Sequence, residues 1–188
     1  MNFYSENIIN NIIDNEDIHQ ILDKINSFKN NVKYLIHSYS IRDIHFKYIE
    51  SLLNSDKVKI AFYCIDHEFD IFNCPTIMIY RKHYDKINND INYYILLICT
   101  KNKYRNQGYG SKLLDKFIED IKEKNNNEKY NRIKIILSSV EEAVLFYESY
   151  GFIWTKKSLS LYPFLMNYEK YIEEKEYFMM EFIVNLKN

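Results

Sequence analysis

A chain of 188 residues with 25 basic and 26 acidic side chains has the length of one domain with a substantial core, and its formal net charge of −1 lacks the basic footprint of a dedicated nucleic-acid binder. No stretch reaches the ~18 consecutive apolar residues of a membrane-spanning helix, and residues 1–6 lack the basic-then-apolar order of a secretory leader, so a soluble, cytoplasmic protein without a membrane partner is expected. The three cysteines, Cys64, Cys74 and Cys99, are odd in number and lack C-x-x-C spacing, which suggests neither a disulfide framework nor a metal site and makes each a small buried hydrophobe.

Along the chain, Ile18, Ile21, Leu22 and Ile25 share a helical face, with Asn15 as N-cap and Glu16 and Asp17 in the first turn. We read residues 1–29 as a helical extension packed on a domain formed by 30–188. Residues 32–37 read as a first strand. Ser40 and Asp43 then open a helix through Ile44, Tyr48, Ile49 and Leu52. Strands at 58–65 and 76–80 are joined by a link too short for a helix, so a hairpin is expected. Residues 93–99 are apolar on both faces, which places a fourth strand inside the sheet. The helix from 110 to 124 carries Leu113, Leu114, Phe117, Ile118 and Ile121 on one stripe. As a crossover it makes the strand at 132–137 parallel to the fourth. A helix at 141–150 and strands at 152–155 and 177–184 complete seven strands. The abundance of tyrosine, 18 residues, accompanies abundant Ile, Asn and Lys and reflects coding bias, not an aromatic binding surface.

Glycine is scarce. Only 3 occur, against about 7% of an average protein, so each is expected where a side chain cannot sit. Gly108 and Gly110 fall in Arg105-Asn106-Gln107-Gly108-Tyr109-Gly110-Ser111, directly after the fourth strand. That order reads as strand, tight turn, helix. The first N–H groups of a helix have no intrahelical acceptor and carry partial positive charge, so the turn is suited to an anion. Lys101, Lys103, Arg105 and Lys112 add positive charge around it. Gly151 closes the helix that contains Tyr147.

Arg105-x-x-Gly108-x-Gly110 after a strand resembles the acyl-CoA pyrophosphate loop of the GNAT N-acetyltransferase superfamily, and Ala143-x-x-x-Tyr147-Glu148-x-x-Gly151-Phe152 is similar to that family's next motif. The resemblance runs from about residue 30 to the C-terminus, and its motifs lie between 93 and 152. It implies an α/β (α+β) single domain: a mixed seven-stranded sheet flanked by helices and splayed between strands four and five. It also implies acetyl-CoA as cosubstrate. Pantetheine would pair with the main chain of Ile98, Cys99 and Thr100, and the pyrophosphate would lie on Arg105, Asn106, Gln107, Gly108, Tyr109, Gly110 and Ser111. Tyr147 takes the position of the general acid that protonates the departing thiolate, with packing as the alternative. A phenol, with an ordinary pKa of about 10, keeps its proton at pH 7.

A general base is not legible. The fourth strand carries no Asp or Glu, and Asp66, His67, Glu68, His83 and Asp85 read more simply as solvated loop residues. Val140 stands where the family frequently has an asparagine. The link at 156–177, with Tyr162, Pro163 and Phe164, is expected as an acceptor lid or, alternatively, as a short surface helix over 168–176. Two functions follow from the resemblance: direct acetyl transfer to a primary amine without a metal, or a catalytically degenerate fold that binds CoA or a protein partner. The acceptor and the oligomeric state stay open, a homodimer included.

Overall fold

A computed structural model of the chain describes residues 2–5, 18–39, 46–65, 70–126, 130–168 and 177–185. In chain order these form β1 (Asn2–Ser5), α1 (Ile18–Tyr39), α2 (Phe46–Leu53), β2 (Val58–Cys64), β3 (Thr76–Asp85), β4 (Asp90–Thr100), α3 (Tyr109–Asn125), β5 (Arg132–Val140), α4 (Glu141–Ser149), β6 (Ile153–Trp154), α5 (Pro163–Tyr168) and β7 (Tyr177–Ile183). The sheet has seven strands in the order β1-β2-β3-β4-β5-β7-β6. Parallel pairing of β4 with β5 beside antiparallel pairing at β1–β2, β5–β7 and β6–β7 makes it mixed, as expected. By its contacts the chain divides into two compact units, Met1–Ile79 with Leu97–Phe117 and Tyr80–Leu96 with Ile118–Asn188.

In the first unit the strand expected at 32–37 is the second half of α1. Val32, Leu35 and Ile36 are buried while Tyr34 is 67% exposed. A strand would bury alternate residues, so this burial at i, i+3 and i+4 is a helical stripe. Ile49, Leu52 and Leu53 of α2 repeat the pattern, and a Lys33–Glu50 ion pair of 2.9 Å joins the two helices. The seventh strand is instead β1, whose Asn2 to Ser5 pair with Cys64 to Ala61 of β2. The boundary expected at 29/30 therefore falls inside one helix, and the segment before it contributes a strand to the sheet. The side chains of Ile18, Ile21, Leu22 and Ile25, and residues Asn15, Glu16, Asp17, Ser40, Asp43 and Ile44, lie outside the described set.

The cysteine expectation is also corrected. Cys64 and Cys74 form a disulfide with their Cα atoms 4.1 Å apart, and only Cys99 is free. The cause is topological: β2 ends at Cys64 and its sheet neighbour β3 begins at Thr76, so the connection must bring Cys74 back beside Cys64. A single 3₁₀ turn, Ile71–Asn73, fits into that connection, capped by Asp70 Oδ1, which accepts from Phe72 N at 2.8 Å. Such bridges persist in oxidising compartments and are rare where thiols are kept reduced. Among the described residues no helix is long and apolar enough to cross a membrane.

In the second unit β4 and β5 run parallel from Asp90↔Arg132 to Ile95↔Leu137, where their ladder ends. Both strands continue, β4 to Thr100 and β5 to Val140. Past Leu137, Ser138, Ser139 and Val140 pair with Met179, Phe178 and Tyr177 of β7. The start of the ladder is held by Asp90, 1% exposed, whose carboxylate meets Arg132 at 3.1 Å and Lys134 at 3.2 Å. A buried carboxylate needs such partners, because taking the charge out of water is costly.

Candidate active site

β4 is buried from Asp90 through Leu96 and half-buried from Leu97 to Thr100, so its protection falls one residue after the ladder to β5 ends. The chain then makes a 3₁₀ turn, Asn102–Tyr104, and enters α3 through two left-handed residues, Asn106 at φ 59° and Gly108 at φ 76°. Asparagine tolerates that region and glycine adopts it without penalty. A Cβ at Gly108 would meet nothing within 4 Å, so this glycine answers to backbone conformation, not to space. Gly110 differs from the expectation. Its φ is not positive, and a Cβ there would meet only Thr100 Oγ1 at 3.7 Å, an ordinary contact. Lys112 N donates to Gly108 O at 3.0 Å, so the N–H groups of Tyr109, Gly110 and Ser111 precede the first helical bond and face outward along the axis.

Hydrogen bonds fix the end of β4. Arg105 Nε donates to Thr100 O at 3.2 Å, Lys101 N to Pro75 O at 2.9 Å, and Thr76 Oγ1 to Cys99 O at 2.9 Å. Burial pushes the Cys99 thiol up to about 12, with the Arg105 charge opposing. A raised thiol pKa disfavours the thiolate that a nucleophile would need. Lys101 Nζ donates to Phe72 O. Lys103 stands 4.7 Å from the Tyr104 ring and Lys112 4.8 Å from that of Tyr109, and the two rings meet edge-on at 5.4 Å. Two of the four expected cations thus rest on tyrosine faces at the mouth of the helix.

In the second unit Tyr147 is 7% exposed on α4, with its ring 5.1 Å from Phe146 and 5.5 Å from Phe152. Its carbonyl accepts from Tyr150 N at 3.0 Å and Phe152 N at 3.1 Å, and Gly151 at φ 89° lets the chain reverse there. The helix end, not the ring alone, therefore holds this tyrosine in place.

Residues 56–153, just over half the chain, match the family model described as an acetyltransferase (GNAT) domain. The chain belongs to the GNAT acetyltransferase family. Its fold is similar to the crystal structure of GCN5 from Tetrahymena, with a TM-score of 0.59 and 12% identity over 100% of this chain and 99% of that one. It is also similar to Arabidopsis thaliana Naa50 in complex with the bisubstrate analogue CoA-Ac-MVNAL, at TM-score 0.51, 19% identity and coverage of 95% and 97%. The ribosomal-protein-S18-alanine N-acetyltransferase of Escherichia coli gives 0.54, 12%, 85% and 90%. No curated protein matches the chain in sequence. The matched residues contain both GNAT motifs and leave out β1, α1 and α2.

The remaining GNAT expectations fare differently. Val140 precedes α4 with no side-chain cap, so it supplies none of the polar contacts of an asparagine there. Sequence reading passed over Ser138, whose Oγ is buried without a hydrogen-bond partner among the described residues, on the stretch of β5 past the β4 ladder. Its signal was a hydroxyl on an apolar strand. Asp85 is a turn residue, its carboxylate accepting from Ile87 N, Asn88 N and Asn88 Nδ2, and these bonds hold its pKa below the usual range. His83 lies with its ring 4.1 Å from Phe164, and burial together with Arg81 lowers its pKa. Asp66, His67 and Glu68 lie outside the described residues.

The link expected as a lid reaches the second unit's core at Tyr162 and Leu165, while Lys156, Lys157, Ser158, Ser160, Leu161 and Met166 are exposed. Leu165 is fully buried, and Phe164 stacks near His83, Tyr94 and the Arg81 guanidinium, which is 4.4 Å from its centroid. Tyr162 donates to Glu181 Oε1 at 2.6 Å. Of the alternative helix over 168–176, Tyr168 ends α5 and 169–176 lie outside the described residues.

Proposed function

We propose that the chain is an acetyl-CoA-dependent N-acetyltransferase that passes an acetyl group directly to a primary amine. The observation that carries this reading is the Arg105–Ser111 turn. Two left-handed residues aim the free N–H groups of Tyr109, Gly110 and Ser111 away from the helix, and Lys103 and Lys112 flank them. Such a terminus suits a pyrophosphate. The main chain of Ile98, Cys99 and Thr100, half-buried beyond the last β4–β5 pair, suits the amides of pantetheine. When bound, acetyl-CoA supplies the thioester whose acetyl group goes to the amine and whose sulfur leaves as a thiol.

In this reading the chain binds and orients the thioester at β4 and moves one proton. Tyr147 donates its phenolic proton to the departing sulfur, a role for which a group still protonated at pH 7 is suited. The amine must arrive neutral, its proton passes to water, and the Tyr147 phenolate is reprotonated from that water, so no net proton is gained or lost. Among the described residues no three His, Cys, Asp or Glu side chains converge as metal ligands, and direct transfer asks for none.

The structural neighbours include one in complex with the bisubstrate analogue CoA-Ac-MVNAL and one named a ribosomal-protein-S18-alanine N-acetyltransferase, so peptides belong in the first acceptor panel beside small polyamines. Free thiol release from acetyl-CoA across that panel tests the reading. Release with one amine class supports it. Binding of acetyl-CoA without release from any acceptor favours the second reading, a non-catalytic CoA binder, for which the absence of a carboxylate on β4 beyond Asp90 and the apolar Val140 both speak.

A further inference from the structure

We propose that Thr76 is a positioning residue for the acyl-CoA site, acting through the carbonyl of Cys99 and the hydroxyl of Thr100. The inference rests on the acetyl-CoA reading of the β4 end and names what holds that end in shape. Thr76 opens β3 and is fully buried, followed by the buried apolar residues Ile77, Met78 and Ile79. A hydroxyl at such a place is costly unless both its functions are used. Here both are. Thr76 Oγ1 donates to Cys99 O at 2.9 Å and accepts from Thr100 Oγ1 at 3.0 Å.

The consequences run along the chain. With the Cys99 carbonyl held by Thr76 and the Thr100 carbonyl held by Arg105 Nε, two successive peptide planes at the end of β4 are fixed. Lys101 N, donating to Pro75 O, ties a third residue to the same short segment. Thr100 Oγ1, with its proton committed to Thr76, would stand 3.7 Å from a Cβ added at Gly110, which places it beside the first turn of α3. The Cys64–Cys74 bridge closes the connection immediately before Pro75 and limits the freedom of this support. A valine would fill the same volume and give neither bond. The chemistry of position 76, not its bulk, is therefore what the β4 end depends on.

The test compares Thr76→Val, Thr76→Ser and Thr100→Val with wild type by acetyl-CoA titration calorimetry and by amide hydrogen exchange over residues 98–105. Thr76→Val is expected to weaken acetyl-CoA roughly tenfold, the scale of one or two unsatisfied buried groups, and to speed exchange over 98–105. Thr76→Ser, which keeps the hydroxyl, is expected to restore both. Wild-type affinity and exchange in folded Thr76→Val would overturn the proposal, as would a serine variant as impaired as the valine one, since that would assign the effect to the methyl group. If Thr76→Val does not fold, Thr100→Val removes the same hydroxyl contact from its half-buried end, and unchanged exchange there overturns the proposal. Failure of wild type to bind acetyl-CoA would remove the functional reading instead, and the exchange comparison would still decide whether Thr76 holds the strand end.

Discussion

Gly108 and Gly110 sit two residues apart in one turn, and their substitutions separate conformation from ligand contact. Gly108, at φ 76°, has space around it but a backbone that penalises any side chain, so Gly108→Ala should cost about 1–2 kcal/mol of stability, visible as a lowered Tm. Gly110 carries no such strain, and Gly110→Ala should leave Tm near wild type. Gly110→Asp should in addition abolish the rise in Tm expected from acetyl-CoA by ligand linkage, because a carboxylate would stand where the proposed site takes the pyrophosphate. A full acetyl-CoA shift in folded Gly110→Asp protein would take the turn out of the site. The sequence showed that these glycines matter but not that they matter differently, because spacing carries no dihedral angle. Tyr147 poses the same problem. Its ring is surrounded by Phe146 and Phe152, so Tyr147→Phe keeps the packing and should lower turnover by roughly 10²–10⁴-fold if the hydroxyl is the acid. The same change at Tyr150 is the packing control, and equal activity of Tyr147→Phe and wild type on an accepted amine would end the assignment.

Strands β2 to β5 and the helices α3 and α4 were legible because their patterns are strong: apolar runs for the interior strands, a stripe on α3, and glycines at the turns. Of the N-terminal elements, α2 and the first part of α1 were legible, whereas the second half of α1 and the strand β1 were not. Residues 32–37 contain β-branched and aromatic side chains that locally favour a strand, and only tertiary burial of Val32, Leu35 and Ile36 together reveals the helix. The Cys64–Cys74 bridge was illegible for a different reason, since an odd count and a ten-residue separation say nothing of which strands are neighbours. Its presence has a direct chemical test. Protein purified without reductant and then denatured should show one reactive thiol, Cys99, and three after reduction. Three before reduction would mean that the bridge is not formed in solution. Closing a loop of this size is worth about 2–3 kcal/mol in the chain-entropy account, so a Cys64→Ser, Cys74→Ser double variant should unfold at lower temperature by a corresponding amount.

At the scale of the whole chain, the family was readable from two motifs, whereas the acceptor was not, because segments such as 156–177 carry no pattern from which a pocket can be read. What part of that segment does is visible in the dependence of stability on pH. Burial alone would raise the pKa of Glu181, but the hydrogen bond from Tyr162 and the ion pair with Lys157 outweigh it and hold the carboxyl below its ordinary value of 4.5. A lowered folded-state pKa means that the unfolded chain binds the proton first. The stabilisation is therefore complete above about pH 5 and is lost as pH falls through the folded value. Tyr162 behaves in the opposite sense: burial and Glu181 push its phenol up to about 12, so its contribution is complete below pH 10 and disappears as pH rises from there toward about 12. Tyr94, raised to about 12 by burial, adds to the same alkaline limb. Tm measured against pH should thus show a plateau bounded by an acid and an alkaline fall. Glu181→Gln should flatten the acid limb and reduce the alkaline one, since the charge that opposes Tyr162 ionisation is gone, while Tyr162→Phe should act on both. An acid limb unchanged in Glu181→Gln would show that this carboxylate is not held by the Tyr162 hydroxyl.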